Sequence, residues 1–111
     1  MLVTIISPAK KLDYSPVEKN IDSTIPSLLE HSNELIKDLK SLNPQEVSSL
    51  MNLSDKLGAL NYERFQEWKT PFNKSNSKQA ILAFKGDVYQ GLDAESLSET
   101  ELIWAQKHVR I

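Results

Sequence analysis

The sequence predicts a mixed α/β fold, an α+β arrangement of a mixed sheet with flanking helices, that stops short of completion. Three observations predict it. Met1-Leu2-Val3-Thr4-Ile5-Ile6 is an apolar, β-branched run without alternation, the pattern of a strand covered on both faces. Helix start signals then recur, at Asn43-Pro44-Gln45-Glu46, at Ser54 and at Ser98-Glu99-Thr100-Glu101. Only one further strand candidate follows, Gln79 to Phe84, and a sheet of two strands is marginal by itself. The last helix also has no Gly, Asn or Pro behind it before Ile111. The expectation is therefore an incomplete N-terminal part of a larger single domain.

The elements follow in order. Residues 7–23 contain Pro8 and Pro16 among polar residues without a period, which predicts a loop. From about Ile25 to Lys40, Ile25, Leu28, Leu29, Ser32, Leu35, Ile36 and Leu39 fall on one helical face. Pro26 suits the first turn, with Ser23 or Thr24 as the cap. Asn43 caps the next helix, with Pro44 in its first position and Glu46 placed to reach back; that helix runs to about Met51. Ser54 caps another, whose stripe is Leu57, Leu60, Phe65 and Trp68. Pro71 and the polar residues Asn73 to Ser77 form a loop. After the Gln79–Phe84 strand, Lys85-Gly86-Asp87 turns the chain. Asp87 is placed to cap a short helical turn through Val88-Tyr89, and Gly91 and Asp93 mark another turn. The final helix opens on the Ser98–Glu101 capping box and carries Leu102, Ala105 and Val109 on one face.

Composition narrows the chemistry. There is no cysteine, which removes disulfides, thiolate nucleophiles and thiolate metal sites together. His31 and His108 are far apart and in no ligand-spaced cluster, so no metal site and no cofactor is expected. No apolar run approaches the ~20 residues that span a bilayer, and no basic n-region precedes the apolar start. The default location is the cytoplasm, with no membrane partner. The net charge of −2 argues against a general polyanion binder. Its distribution is uneven: Lys69, Lys74, Lys78 and Lys85 have no acidic residue among them, and Asp87, Asp93, Glu95, Glu99 and Glu101 no basic one. These are either two solvated faces of opposite sign or a local basic face for phosphate.

Two places have residues suited to chemistry. Across Leu50-Met51-Asn52-Leu53-Ser54-Asp55-Lys56-Leu57-Gly58, the pattern resembles a helix-hairpin-helix DNA-binding module, within a helix-hairpin-helix-like element over residues 43–69. Asn52 and Ser54 stand where glycines are usual, Leu53 is the apolar anchor, Lys56 is the lysine, and Gly58 is the small residue facing the first helix. Backbone N–H groups opening the second helix carry the positive end of its dipole and suit a phosphate oxygen. Lys56 adds a charge-assisted contact, while Asp55 opposes one. On this stretch alone an ordinary αα-hairpin with a capped second helix is the stronger reading, and the motif by itself is weak. The second place is the pair of loops after the two strand candidates, with Lys10 in one and Lys85, Asp87 and Tyr89 in the other. Loops at strand ends commonly hold sites, and these residues suit binding a phosphate or moving a proton. The alternative is a surface Lys–Asp pair around a glycine turn. No Ser/His/Asp arrangement and no glycine-rich phosphate loop is present. Tyr62, Phe65, Arg64 and Trp68 invite a base-stacking reading, but their helical spacing makes Phe65 and Trp68 core, and Trp104 likewise reads as packing.

Several segments, Ile5-Ile6-Ser7-Pro8-Ala9-Lys10, Leu12-Asp13-Tyr14, Leu53-Ser54-Asp55-Lys56-Leu57 and the run from Gln79 through Gly91-Leu92, closely resemble the start of the bacterial YaaA family of peroxide stress resistance proteins. The resemblance covers essentially the whole chain, residues 1–111, as the N-terminal portion of a YaaA-like domain. It implies limitation of oxidative damage during hydrogen peroxide stress, associated with lowering free intracellular iron. It also implies DNA binding by an unusual α/β fold with a helix-hairpin-helix element and a basic cleft. The partner is then duplex or branched DNA held through its phosphate backbone with low sequence preference. Lys10 and Lys85 correspond to the family's signature lysines, beside Asn52, Ser54 and Lys56 as DNA-binding residues. No catalytic residue comes with the resemblance. Family members continue past His108-Val109-Arg110 with a segment rich in glycine, tyrosine and arginine that is not present here. Two rivals are kept: an enzyme acting on a nucleotide or phosphorylated small molecule through Lys10, Lys85, Asp87 and Tyr89, and an inactive truncated remnant.

Overall fold

In the computed structural model, which describes residues 1–111, a helix over Leu29–Lys40 (α1) is followed by helices over Pro44–Met51 (α2) and Asp55–Glu67 (α3). These belong to one of two units, Ile25–Asn76; the other comprises Met1–Thr24 with Ser77–Ile111. Each is described by itself.

In the Ile25–Asn76 unit, α1 begins later than the apolar period predicts. Leu28 stands at its cap and makes no side-chain cap bond; Thr24 belongs to the other unit, where its hydroxyl accepts from Gln106 Nε2 at 3.3 Å. Ile25 and Leu28 therefore lie outside the helix and are exposed, while Ile36 is buried. Lys37 and Lys40 in the last turn suit the negative end of the dipole. Asn43 and Ser54 cap α2 and α3 as their sequence signals require. Val47 is completely buried. Asn61, the buried polar residue, donates from Nδ2 to Leu57 O at 2.8 Å, so its buried amide nitrogen has a partner. Gln66 Nε2 donates to Lys40 O and Lys40 Nζ to Trp68 O, joining the ends of α1 and α3. Trp68 is half-buried and meets Phe72 edge to face, centroids 5.4 Å apart.

In the other unit, strand Thr4–Ile5 (β1) pairs in parallel with Val109–Arg110 (β2), Thr4 opposite Val109 and Ile5 opposite Arg110. Between them lie helices Ala80–Ala83 (α4), Asp87–Leu92 (α5) and Glu99–His108 (α6), and a 3-10 turn at Ala94–Ser96. The architecture is thus mixed α/β and mostly helical. Leu82, Ala94 and Leu102 form the core of this unit, with Val17, Ile21, Ile81, Leu92 and Leu97 packed around it.

Four expectations are corrected here. The Gln79–Phe84 run is a helix, not a strand, through Ala83. A short apolar run carries no period that separates the two states, and alanine and leucine are strong helix formers. Strand-like pairing survives only at its end, where Phe84 bridges Leu12, Asp13 N donates to Ala83 O, and Lys85 N donates to Lys11 O. The final helix does not continue to Ile111. It ends at His108, and Val109 takes an extended conformation (φ −120°, ψ 135°) that its β-branch favours. Asp87 is the first residue of α5 and Gly86 holds the cap position; α5 then runs through Gly91, with the turn at Asp93 (φ 48°). Finally, β1 is exposed, not buried, as are Ile103 and Trp104 on α6. The Trp104 ring stacks on His108, centroids 3.8 Å apart.

Candidate functional site

Residues 43–69 assemble from ordinary helix-end chemistry. Asn43 Oδ1 accepts from Glu46 N at 2.9 Å, and Glu46 reaches back to the Asn43 side-chain amide at 2.7 Å. At the far end of α2, Asn52 adopts the left-handed conformation, φ 53° and ψ 55°. Leu53 N then donates to Ser48 O and Asn52 N to Ser49 O, the paired bonds of a Schellman ending. Asparagine tolerates this conformation better than most residues with a side chain, which is why it serves where glycine would be easier. Ser54 Oγ accepts from Leu57 N at 3.3 Å and Ser54 O from Gly58 N at 2.8 Å, starting α3.

Gly58 fixes how closely α3 approaches α2. A Cβ there would overlap Ser48 Oγ and lie 2.9 Å from Ser48 Cβ and 3.1 Å from Pro44 O. Ser48 Oγ itself donates to Pro44 O at 3.1 Å. Close approach of this kind needs a residue without a side chain. The amides of Asp55 and Lys56 lie in the first turn, where no intrahelical acceptor exists, and both side chains are exposed. The connection thus offers outward N–H groups and one ammonium, opposed by the Asp55 carboxylate.

Lys10, Lys85, Asp87 and Tyr89 lie in the other unit, where the segment from Ser7 to Asp13 meets that from Ala83 to Tyr89 through the Leu12–Phe84 bridge. Gly86, at φ 123° and ψ −178°, links α4 to α5, in a region that side chains effectively exclude. Lys10 is exposed between β1 and the bridge, and Asp87 is exposed at the start of α5. Lys85 Nζ is paired with Glu95 Oε1 at 3.0 Å. Tyr89 is buried; its hydroxyl donates to Ser7 O at 2.5 Å, and its ring lies 5.4 Å from that of Phe84. Burial pushes the Tyr89 phenol above its ordinary value. The tyrosine therefore clamps the Ser7 loop, and the lysine is committed to a carboxylate.

A pocket of about 180 Å³ opens beside these residues, lined among others by Phe84, Lys85, Tyr89, Asp93 and Glu95. It is smaller than the ~300–1,000 Å³ of most small-molecule sites; Lys85 is paired there with Glu95, and Asp93 also lines it. Sequence reading missed Glu95 as the partner of Lys85, because nothing in a ten-residue separation signals contact. It placed Lys78 in the lysine-rich stretch but missed its partners: Lys78 Nζ donates to Asp13 O at 2.9 Å and Ser15 O at 2.8 Å. With Lys78 and Lys85 both engaged, the lysine-rich stretch is not a row of uncommitted charges. Asp13 Oδ1 accepts from Ser15 N at 2.8 Å. That Ser15 bonding holds the Asp13 carboxyl below its ordinary value, with Lys78 and Lys85 adding smaller contributions of the same sign. The Asp-x-Ser spacing was a legible turn signal. No group of three or more His, Asp or Glu side chains gathers as a metal site requires, and no helix is long and apolar enough to cross a membrane.

The family model of the peroxide stress protein YaaA matches residues 1–111. A UPF0246 protein of Teredinibacter turnerae is 53% identical over 110 residues, 99% of this chain and 43% of that protein. Counterparts in Saccharophagus degradans and Cellvibrio japonicus are 52% and 49% identical over the same shares of each chain. The chain thus spans about two-fifths of the length of the curated relatives it matches. With the match extending over every residue, the chain belongs to the YaaA family of peroxide stress proteins.

Proposed function

We propose that this protein acts in the cytoplasmic response to peroxide by binding duplex or branched DNA through its phosphate backbone, and that the family's association with limiting free intracellular iron extends to it. These residues are the N-terminal portion of the domain that does so. Residues 43–69 act as a helix-hairpin-helix element: the Asn52–Ser54 connection and the first turn of α3 present N–H groups to a phosphate, and Lys56 completes the contact. The observation that carries this reading is the left-handed Asn52 beside the Gly58–Ser48 contact, which hold the start of α3 in one geometry. Lys10 and Lys85 are further phosphate contacts in the other unit. Lys85 must exchange Glu95 for phosphate, and an exposed ion pair contributes only ~0–1 kcal/mol, so the exchange costs little.

Asp55 gives the test its sign. Removing this carboxylate while keeping its shape, Asp55→Asn, should tighten binding to a mixed-sequence duplex. Lys56→Glu should weaken it about equally for unrelated sequences. Fluorescence anisotropy at fixed salt reads both. If the two substitutions leave affinity unchanged, the hairpin is an ordinary helix pair.

The rival, a nucleotide or phosphorylated small molecule held by Lys10, Lys85, Asp87 and Tyr89, draws its support from the pocket beside Lys85. Its small volume and the engaged Tyr89 hydroxyl favour the DNA reading. A rise in melting temperature with excess nucleotide, lost in Lys85→Met, would reverse that order.

A further inference from the structure

Two elements of the unit that contains the sheet are apolar on more sides than the unit covers. On α6, Leu102 and Ala105 are buried, yet Ile103 and Trp104 between them are 56% and 60% exposed. Leu102 to Ala105 thus carry apolar side chains around one full turn of an otherwise polar helix, and two of the four lack cover. In β1, Thr4 and Ile5 project to opposite faces and both are exposed, Ile5 at 81%, with Leu2 exposed beside them. Parallel strands occur with both faces covered, and β1–β2 is parallel and only two strands wide.

We propose that β1 and β2, with Leu2, Ile5 and Ile111, together with Ile103 and Trp104 of α6, form a docking surface for the portion of the longer relatives that lies outside the matched residues. Those relatives match this chain over 99% of its length but only 43% of theirs, so more than half of each lies outside the match. The required occupant must extend a parallel sheet by its edge and cover both its faces. A second copy of this chain paired edge to edge satisfies the strand hydrogen bonds but leaves both faces of β1 and the Ile103–Trp104 side of α6 in water. The unmatched portion, more than half of each relative, has the length to supply both an edge strand and cover for the faces, whether on the same polypeptide or on a separate one. The inference rests on family membership and does not depend on DNA binding.

The test co-expresses this chain, carrying Trp68→Phe so that Trp104 is the reporter, with the unmatched portion of the Teredinibacter turnerae relative. The same two segments are also joined as one polypeptide. A one-to-one complex is expected, with Trp104 emission shifted to the blue, quenching by acrylamide lost, and amide exchange slowed at Thr4, Ile5 and Ile6. Ile5→Asp and Trp104→Asp change exposed side chains, so they should leave the helical circular dichroism of the chain intact while abolishing the complex. In the joined form Ile5→Asp should restore acrylamide quenching of Trp104. Trp104 staying equally quenchable in the joined, folded protein overturns the proposal. So does a complex indifferent to both substitutions, or a homodimer of this chain that both substitutions dissociate.

Discussion

Replacing Gly58 by alanine sets two effects of opposite sign against each other. Alanine in place of a helical glycine stabilises by about 0.8–1 kcal/mol when the surroundings are open. Here the added methyl would overlap Ser48 Oγ and press on Ser48 Cβ at 2.9 Å and Pro44 O at 3.1 Å. The hydroxyl can rotate away, at the loss of its bond to Pro44 O, about 0.5–1.5 kcal/mol. The backbone carbonyl cannot, and overpacking of this kind costs about 1–3 kcal/mol. The balance is a net loss of about 1–2 kcal/mol. With a urea m-value of about 2 kcal/mol/M, the midpoint followed by circular dichroism at 222 nm should fall by roughly 0.5–1 M. Ser48→Ala in the same background should recover part of the loss, since it removes the overlapping oxygen but keeps the Cβ. A higher midpoint for Gly58→Ala alone would refute the close α2–α3 approach.

Further expectations concern the other unit. Gly86→Ala meets open space, the nearest atom being Ala9 Cβ at 3.9 Å, so its cost is backbone strain alone, about 1–3 kcal/mol; a thermal melt should show the loss, and an unchanged melt would remove the strain argument. Lys78→Met deletes the donors to Asp13 O and Ser15 O; charge-assisted bonds of this type contribute about 1.5–3 kcal/mol, and hydrogen exchange at Ser15 should accelerate. Asp13 has a lowered folded-state pKa, so its contribution to stability is fully present above the unfolded value near 3.8 and is lost as pH falls below it towards the lower folded value. Asp13→Asn should therefore narrow its gap from the parent as pH is lowered through that window, measured by urea midpoints.

What the sequence disclosed divides by the range of the forces involved. Asn43, Ser54 and the Ser98–Glu101 box mark real helix starts because capping is settled by neighbours within a turn. Gly58 was legible as the small residue of a helix pair only through the motif pattern, since its contacts with Ser48 and Pro44 span more than a turn. The Ala80–Ala83 helix was misread because apolar character without a period does not choose a state. Burial of β1 was inferred from composition, which says what a strand is suited to and not whether its cover is present. The pairing of Lys85 with Glu95, the grip of Lys78 on Asp13 and Ser15, and the reach of Tyr89 to Ser7 depend on segments brought together by the fold, and no local pattern encodes them.

The central claim, a phosphate-binding hairpin, is tested most directly by salt dependence. Each phosphate neutralised contributes about −0.9 to the slope of log affinity against log salt. Lys56→Ala should weaken duplex binding and make the slope shallower by about one such unit, while Asp55→Asn tightens binding at every salt concentration. A Lys56→Ala slope identical to that of the parent chain would contradict the account.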